Sequence, residues 1–319
     1  MKKIIGIRIA ICMAAAFITS ETIAIPLEGY SAQAWKIEEG QYVDASGKPI
    51  AGAIEKGITV SKYQNRENKK NGGIDWKQVN EDGIKFAMVR VGYFNDPDPY
   101  YGVNMKGASE NGLKTGIFFY TQALDTQTAI EEANYVLRMV KDYPISYPIA
   151  YDVESQYLLD HNLSRQQITD NINAFCKTIE EAGYRPIVYA NHKWLTLYID
   201  SWKVPYDVWY ARYGSVNNCK NRTIWQCTDK GKVDGIAGDV TIEFAFADYG
   251  ALIPSEGFKT IDGKRYYTKD YKKQTGWIQT EGNWYYMDSN GVMISNTTME
   301  INGIFYSFGL DGAMIQTGN

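Results

Sequence analysis

Residues 56–248 alternate short apolar runs with segments of helical periodicity. The apolar runs are mostly continuous, as expected for strands buried on both faces of a parallel sheet. About eight strands joined by helices predict a closed or nearly closed βα-barrel, an α/β fold whose chemistry lies at the carboxyl ends of the strands. The predicted strands are 57–61, 86–93, 115–122, 148–154, 186–190, 208–213, 223–227 and 240–245.

Capping residues predict where the helices of this region begin and end. Asp75 can cap a helix over 76–81, and Asp125 can open one that runs to Tyr143. Ser164, with a glutamine three residues later, forms a capping box before a helix over 168–182, and a glycine ends that helix.

After Tyr249 the sequence changes to short aromatic segments punctuated by glycine. A unit with a period near 20 residues is clearest at 277–291 and recurs in degraded form at 261–267 and 301–312. Such a unit predicts a β-hairpin that buries its apolar face only by stacking on its neighbours. Before the barrel, the spacing of Trp35, Gly40, Asp44 and Gly47 matches the same unit.

The predicted organisation therefore has four parts. Residues 1–24 are predicted to be a signal peptide, since a basic start and a short apolar core precede a small-residue end. Residues 25–54 form a degenerate N-terminal repeat and linker, 55–250 the barrel, and 251–319 the hairpin repeats. The mature protein is expected to be secreted, extracellular or associated with a cell wall, with no membrane segment after signal cleavage.

Composition limits the function. The net charge of −4 offers no basic surface for nucleic acid. With His161 and His192 as the only histidines, no zinc-protease motif is present, and no phosphate-binding glycine loop occurs. We therefore predict no metal and no cofactor. Signal removal leaves Cys176, Cys219 and Cys227; a 219–227 disulfide and three free thiols are both compatible with the sequence.

The predicted strand 148–154 ends in a carboxylate pair, Asp152 and Glu154. The two-residue period of a strand would direct both to one face. Two adjacent carboxyls cannot both ionise easily, so one is driven toward its protonated form. A general acid beside a stabilising carboxylate is the equipment of glycoside hydrolysis.

The barrel region resembles the glycoside hydrolase family 25 lysozymes, the Chalaropsis-type muramidases. The stretches that carry the resemblance are 57–64, 74–76, 86–93, 148–154, 186–189, 209–213, 225–226 and 235–238. The flanking segments resemble cell-wall repeats of the choline-binding type, in which aromatic side chains form cages for a quaternary ammonium. The resemblance implies a (β/α)-barrel of the family 25 type, flanked by short hairpin repeats.

By this resemblance Glu154 is the proton donor, and Asp152 orients or stabilises the reacting sugar. The substrate would be the glycan strand of peptidoglycan. The residues implied to bind it are Tyr93, Tyr120, Tyr189, Trp209, Tyr213 and Gln226. The aromatic residues implied to bind a wall polymer, such as teichoic acid or a choline-like ligand, are Trp277, Trp284, Tyr285, Tyr286, Phe305 and Tyr306.

Two positions depart from the family pattern. Thr59 stands where the first strand normally carries an aspartate, and Thr241 replaces another near the end of the barrel. Asp239 and Glu243 are the two acidic residues close enough in sequence to compensate.

We therefore expect a secreted N-acetylmuramidase with reduced activity, cleaving the β-1,4 bond between N-acetylmuramic acid and N-acetylglucosamine. The alternative is a non-catalytic wall-binding protein on a degenerate hydrolase scaffold. A chitinase-like enzyme is a third reading, although Tyr147 and Ala150 stand where its longer acidic signature has aspartates.

Overall fold

The computed structural model describes residues 36–39, 41–43, 49–69, 72–93, 96–213, 219 and 221–318. The predicted signal peptide lies outside these residues, as do Trp35, Gly40, Asp44 and Gly47 of the N-terminal repeat. Two short antiparallel strands, β1 (Lys36–Glu38) and β2 (Gln41–Val43), precede the barrel.

Eight strands close into the predicted barrel, because the first of them pairs with both the second and the last. A further two-residue strand, β5, pairs with the end of β4. The strands in chain order are β3 (Glu55–Val60), β4 (Phe86–Tyr93), β5 (Asp96–Pro97), β6 (Lys114–Tyr120), β7 (Ile149–Asp152), β8 (Pro186–Asn191), β9 (Val208–Ala211), β10 (Arg222–Val233) and β11 (Ile236–Ala245).

Helices lie between the strands and begin at the predicted caps. The Ser164–Gln167 capping box is present, and the Asp75 and Asp125 side chains accept hydrogen bonds from the first turns of their helices. The helices are α1 (Lys62–Asn68), α2 (Trp76–Glu81), α3 (Tyr101–Glu110), α4 (Thr126–Val140), α5 (Gln156–Asp160), α6 (Arg165–Glu181), α7 (His192–Leu197) and α8 (Tyr249–Leu252), with a 3-10 turn at Ser201–Lys203.

The inside of the barrel is filled by large side chains. Phe86 and Tyr147 stack with their ring centroids 4.3 Å apart, and both are fully buried. Glycine is required beside them, since a Cβ at Gly57 would lie 2.4 Å from the Phe86 ring. The interior is therefore a packed core rather than a pore, and it gives rigid support to the residues at the carboxyl ends of the strands.

The last barrel strand runs opposite to the predicted direction. β11 is antiparallel to both β10 and β3, whereas the alternation of strands and helices predicts a wholly parallel sheet. The reason is local: Asp234 and Gly235 join β10 to β11 as a hairpin turn, and Gly235 has a φ of +90°. A two-residue Asp-Gly turn leaves no room for a crossover helix.

Three antiparallel hairpins follow the barrel, in agreement with the predicted repeats. Each pair of long strands is joined by a two-residue turn in which both residues have positive φ, namely Asp262-Gly263, Glu281-Gly282 and Asn302-Gly303. This is the type I′ geometry that glycine favours at its second position. The strands are β12 (Gly257–Ile261), β13 (Lys264–Lys269), β14 (Lys272–Lys273), β15 (Gly276–Thr280), β16 (Asn283–Met287), β17 (Thr297–Ile301), β18 (Ile304–Phe308) and β19 (Met314–Gly318).

The first hairpin is part of the barrel's hydrophobic core. Ile261 and Tyr266 are buried in the same cluster as the barrel residues. The Thr260 amide donates to the Ala182 carbonyl at 3.1 Å, at the end of α6. A second, smaller cluster joins Tyr267 of the first hairpin to Tyr285 and Met287 of the second and to Ala313 of the third. No helix among the described residues is long and apolar enough to cross a bilayer.

Candidate active site

The carboxyl ends of five neighbouring strands carry one row of polar and aromatic residues. Tyr93 of β4 is in register with Tyr120 of β6, which is in register with Asp152 of β7. Asp152 pairs in turn with Tyr189 of β8, and Tyr189 with Trp209 of β9. The barrel thus brings together five of the residues selected from the sequence.

Asp152 and Glu154 are brought together by the turn after β7, not by strand alternation as predicted. β7 ends at Asp152, and Glu154 lies beyond the strand in the connection to α5. There the Glu154 amide donates to Asp152 Oδ1 at 3.2 Å. Asp152 is buried, whereas Glu154 is partly exposed. The turn after the strand, rather than strand alternation, therefore sets the pair.

Burial shifts both carboxyls toward their protonated forms. It raises the pKa of Glu154 to about 7, against a hydrogen bond that the Asn191 amide donates to Glu154 Oε1. Burial also raises the pKa of Asp152 well above its usual range, and the charge of Glu154 raises it further, while Arg90 opposes the shift. The environment of this pair therefore favours retention of a proton.

The aromatic residues that were predicted to bind substrate differ in how deeply they are buried. The Tyr120 hydroxyl donates to the Glu154 carbonyl at 3.1 Å. Tyr93 is partly exposed, and its neighbour Asp96 raises its pKa. Tyr213 is 48% exposed, but Trp209 is only 1% exposed and meets the Tyr189 ring edge-on at 4.6 Å. Trp209 is therefore a buried packing partner of Tyr189, and its ring face is not accessible to a ligand.

The two threonines that replace expected acids are hydrogen-bonded together across β3 and β11. The Thr59 amide donates to Thr241 Oγ1 at 3.0 Å. The Thr59 hydroxyl donates to Glu243 Oε1 at 2.7 Å, and Gln226 Nε2 donates to the same oxygen at 3.0 Å. Burial raises the pKa of Glu243 to about 7, and the favourable contacts with these three side chains offset only part of that effect.

Of the two compensating acids considered, only Glu243 lies at this site. Asp239 instead pairs with Lys232 at 2.5 Å and Lys230 at 3.6 Å on β10, and Lys232 lowers its pKa. Strand alternation alone does not separate the two acids, since residues 239, 241 and 243 all share one face of β11.

The described residues offer no group of three or more histidine, cysteine, aspartate or glutamate side chains that would hold a metal ion. Cys176, Cys219 and Cys227 are free thiols, so the 219–227 disulfide that the sequence allowed is not formed.

A second aromatic cluster spans the last two hairpins. The Trp277 ring lies 5.1 Å from Tyr286 of its own hairpin and 4.7 Å from Tyr306 of the next, between ring centroids. Trp284 contacts Trp277 at 6.1 Å and is 40% exposed. Tyr285 is buried in the hairpin core. Phe305, by contrast, is 51% exposed.

Comparison with known proteins gives two family matches. The model of glycosyl hydrolases family 25 matches residues 58–236, more than half of the chain. A model of a cell wall binding repeat matches residues 275–293, which include the Trp277 hairpin.

Two curated proteins illustrate the sequence relationship. The chain is 28% identical over 194 residues to the uncharacterized protein YegX of Escherichia coli K12, an alignment that spans 58% of this chain and 66% of YegX. The chain therefore spans just under two thirds of the length of YegX. It is 24% identical over 235 residues to lysozyme M1 of Streptomyces globisporus, across 67% of this chain and 76% of that protein.

Solved structures share the fold at low sequence identity. The modular autolysin LytC of Streptococcus pneumoniae aligns with a TM-score of 0.58 at 23% identity, over 68% of this chain and 52% of LytC. A family 25 glycosyl hydrolase of Bacillus anthracis aligns with a TM-score of 0.53 at 21% identity, over 62% of this chain and 92% of that one.

Proposed function

The chain belongs to family 25 of the glycosyl hydrolases, and on that premise we propose that it is an N-acetylmuramidase acting on peptidoglycan. The bond cleaved is the β-1,4 linkage between N-acetylmuramic acid and N-acetylglucosamine. The observation that most supports this proposal is the Asp152–Glu154 pair at the carboxyl end of β7, beside the tyrosines of the neighbouring strands.

In the proposed mechanism Glu154 acts as the general acid. Its pKa of about 7 keeps a large fraction of the carboxyl protonated in neutral and mildly acidic solution. It gives its proton to the glycosidic oxygen as the bond to the anomeric carbon breaks. Asp152 orients the reacting sugar and stabilises the positive charge that develops on it. A water molecule then attacks the anomeric carbon, its oxygen becomes the new hydroxyl of the sugar, and the proton it loses returns to the Glu154 carboxylate.

We propose that turnover is slow compared with relatives that carry all four acids. Thr59 and Thr241 present neutral hydroxyls where the family pattern has carboxylates, and the nearby Glu243 is fully buried with a pKa of about 7. A neutral hydroxyl only partly reproduces the stabilisation that a carboxylate gives to an oxocarbenium-like transition state.

We further propose that the hairpins attach the secreted enzyme to the cell wall. Trp277, Tyr286 and Tyr306 form a partly exposed aromatic group from two adjacent hairpins. Aromatic faces of this kind attract quaternary ammonium groups, so a choline-bearing wall polymer such as a decorated teichoic acid is the proposed ligand.

The proposed reaction predicts that Glu154→Gln lowers the rate of clearing of purified cell walls by at least about a hundredfold, the usual contribution of a general acid. Turbidity of the wall suspension measures this rate. For the parent, the rate should fall as pH rises through about 7, since deprotonation removes the donor.

The matched control is Glu110→Gln, which removes an exposed carboxylate on α3 and should clear walls at the parental rate. A parent that binds walls without clearing them at any pH would instead support the non-catalytic alternative. Equal clearing by Glu154→Gln would exclude Glu154 as the acid.

A further inference from the structure

A continuous chain of hydrogen bonds connects a buried carboxyl to two tyrosines at the strand ends. Glu243 is fully buried, and Gln226 is 3% exposed. Glu243 Oε1 accepts from Gln226 Nε2 at 3.0 Å. Gln226 Oε1 in turn accepts from the Tyr189 hydroxyl at 3.0 Å and from the Tyr213 hydroxyl at 3.2 Å.

The direction of this chain follows from the chemistry of its members. Glu243 Oε1 accepts a hydrogen bond, so the NH2 group of the Gln226 side chain must face it. The Gln226 side-chain oxygen then points the other way, toward the tyrosines. The Thr59 hydroxyl also donates to Glu243 Oε1, at 2.7 Å, so two donors converge on that oxygen. Glu243 thereby selects one of the two orientations that the Gln226 amide could adopt.

The orientation of Gln226 sets what the tyrosines offer to a ligand. A phenol hydroxyl has a single proton, and Tyr189 and Tyr213 both direct theirs to Gln226. Their remaining capacity is to accept hydrogen bonds. Tyr189 is also in register with Asp152, and its pKa is raised by burial and further by the charges of Glu154 and Asp152, so the carboxylate pair acts on this hydroxyl.

We propose that Glu243 is a positioning residue for glycan binding, which acts by holding Gln226 so that Tyr189 and Tyr213 present acceptor oxygens to the sugar. The groups recognised are the hydrogen-bond donors of an amino sugar, its hydroxyls and its acetamido N–H. The inference rests on the proposed function, because it names which groups of the glycan are bound at the same site.

The test measures binding rather than turnover. Calorimetry with a soluble peptidoglycan tetrasaccharide is performed on proteins that also carry Glu154→Gln, so that the ligand stays intact. Glu243→Leu keeps the volume but removes the acceptor, and should weaken binding about tenfold or more. Glu243→Gln retains an acceptor oxygen and should bind within about twofold of its background. Asp239→Asn, on the same strand but paired with β10 lysines, is the unaffected control.

A double-mutant cycle separates positioning from general damage. Tyr213→Phe should weaken binding by roughly two- to tenfold alone, the value of one hydrogen bond, and add little in the Glu243→Leu background. Gln226→Met should reproduce Glu243→Leu and replaces it in the cycle if that variant does not fold. Because Tyr213 is half exposed, its variant is available in either case.

Unchanged affinity in Glu243→Leu or in Tyr213→Phe, or full additivity in the cycle, would overturn the inference. Failure of the proposed function is distinct from this result. A parent that never hydrolyses walls would refute the muramidase proposal, while the binding series would still decide whether Glu243 positions the glycan-binding tyrosines.

Discussion

At the scale of single residues, Thr59 is the position where the site departs most from the expected charge pattern. Its hydroxyl lies 2.7 Å from Glu243 Oε1 and its amide is held by Thr241. A carboxylate placed at position 59 would therefore meet another carboxyl at hydrogen-bond distance. A carboxylate at position 241 would also lie near Glu243, which the Thr241 side chain contacts, but it would still accept from the Thr59 amide.

This difference makes the restoration of the expected acids a graded prediction. Thr241→Asp should raise the rate of peptidoglycan hydrolysis, by roughly a hundredfold if it supplies one preorganised charge. Thr59→Asp alone should gain less, because its carboxylate would lie against the Glu243 carboxyl, whereas a carboxylate at position 241 would also accept from the Thr59 amide. Adding Glu243→Gln to Thr59→Asp should raise the rate further, because it removes the neighbouring carboxyl. Release of reducing ends from purified peptidoglycan measures each rate.

Thr59→Asn and Thr241→Asn are the matched neutral controls and should give no such gain. Rates that stay at the parental level in every restored variant would show that carboxylates at these positions are unnecessary for this enzyme.

At the scale of elements, local signals predicted most of the barrel. The strand 86–93 and the helix 76–81 have the predicted bounds, and Ser164 caps its helix as expected. The reversed β11 was missed because continuous apolar runs do not report strand direction. The Asp-Gly pair at 234–235 was the local signal for it.

The contacts within the site were harder to predict from the sequence than the fold. Asp152 and Glu154 are neighbours in the chain, so their pairing follows from local geometry. Glu243 is joined to Thr59 across 184 residues of sequence and to Gln226 across a hairpin whose bulges shift its register. No periodicity in the sequence reports such contacts, and only the closed barrel brings them together.

The hairpins are not equivalent elements, which bears on how they bind a wall. The first shares the barrel core through Ile261 and Tyr266, so a fragment that begins at residue 251 separates it from its packing partners. The aromatic residues that the sequence implicates in binding a wall polymer all lie within 251–319. The partly exposed group around Trp277 lies in the second and third hairpins, and the prediction now applies to these.

We expect Trp277→Ala in the full chain to reduce its retention on insoluble cell walls severalfold, because Trp277 contacts aromatic rings of both hairpins. Sedimentation of the protein with walls measures retention. Trp202→Ala, which removes a 77% exposed tryptophan from the barrel, is the matched control and should sediment like the parent. Equal retention of the two variants would refute wall binding by this group.

At the scale of the whole molecule, the first hairpin and the carboxylate pair lie at opposite ends of the barrel. The first hairpin docks where α4 and α6 end, through the Arg138–Asp262 pair at 3.2 Å and the Thr260–Ala182 hydrogen bond. Those helix ends precede the amino ends of the next strands, whereas Asp152 and Glu154 lie at a carboxyl end. Attachment to a wall polymer would therefore leave the cleft free for a glycan strand.

The proposed reaction is hydrolysis of the β-1,4 bond between N-acetylmuramic acid and N-acetylglucosamine, with Glu154 as the general acid. The most direct measurement is mass spectrometry of the fragments released from purified walls, after borohydride reduction of their new reducing ends. We expect fragments that end in reduced N-acetylmuramic acid from the parent, and at least about a hundredfold fewer from Glu154→Gln. Fragments that end in reduced N-acetylglucosamine, or equal yields from the two proteins, would contradict it.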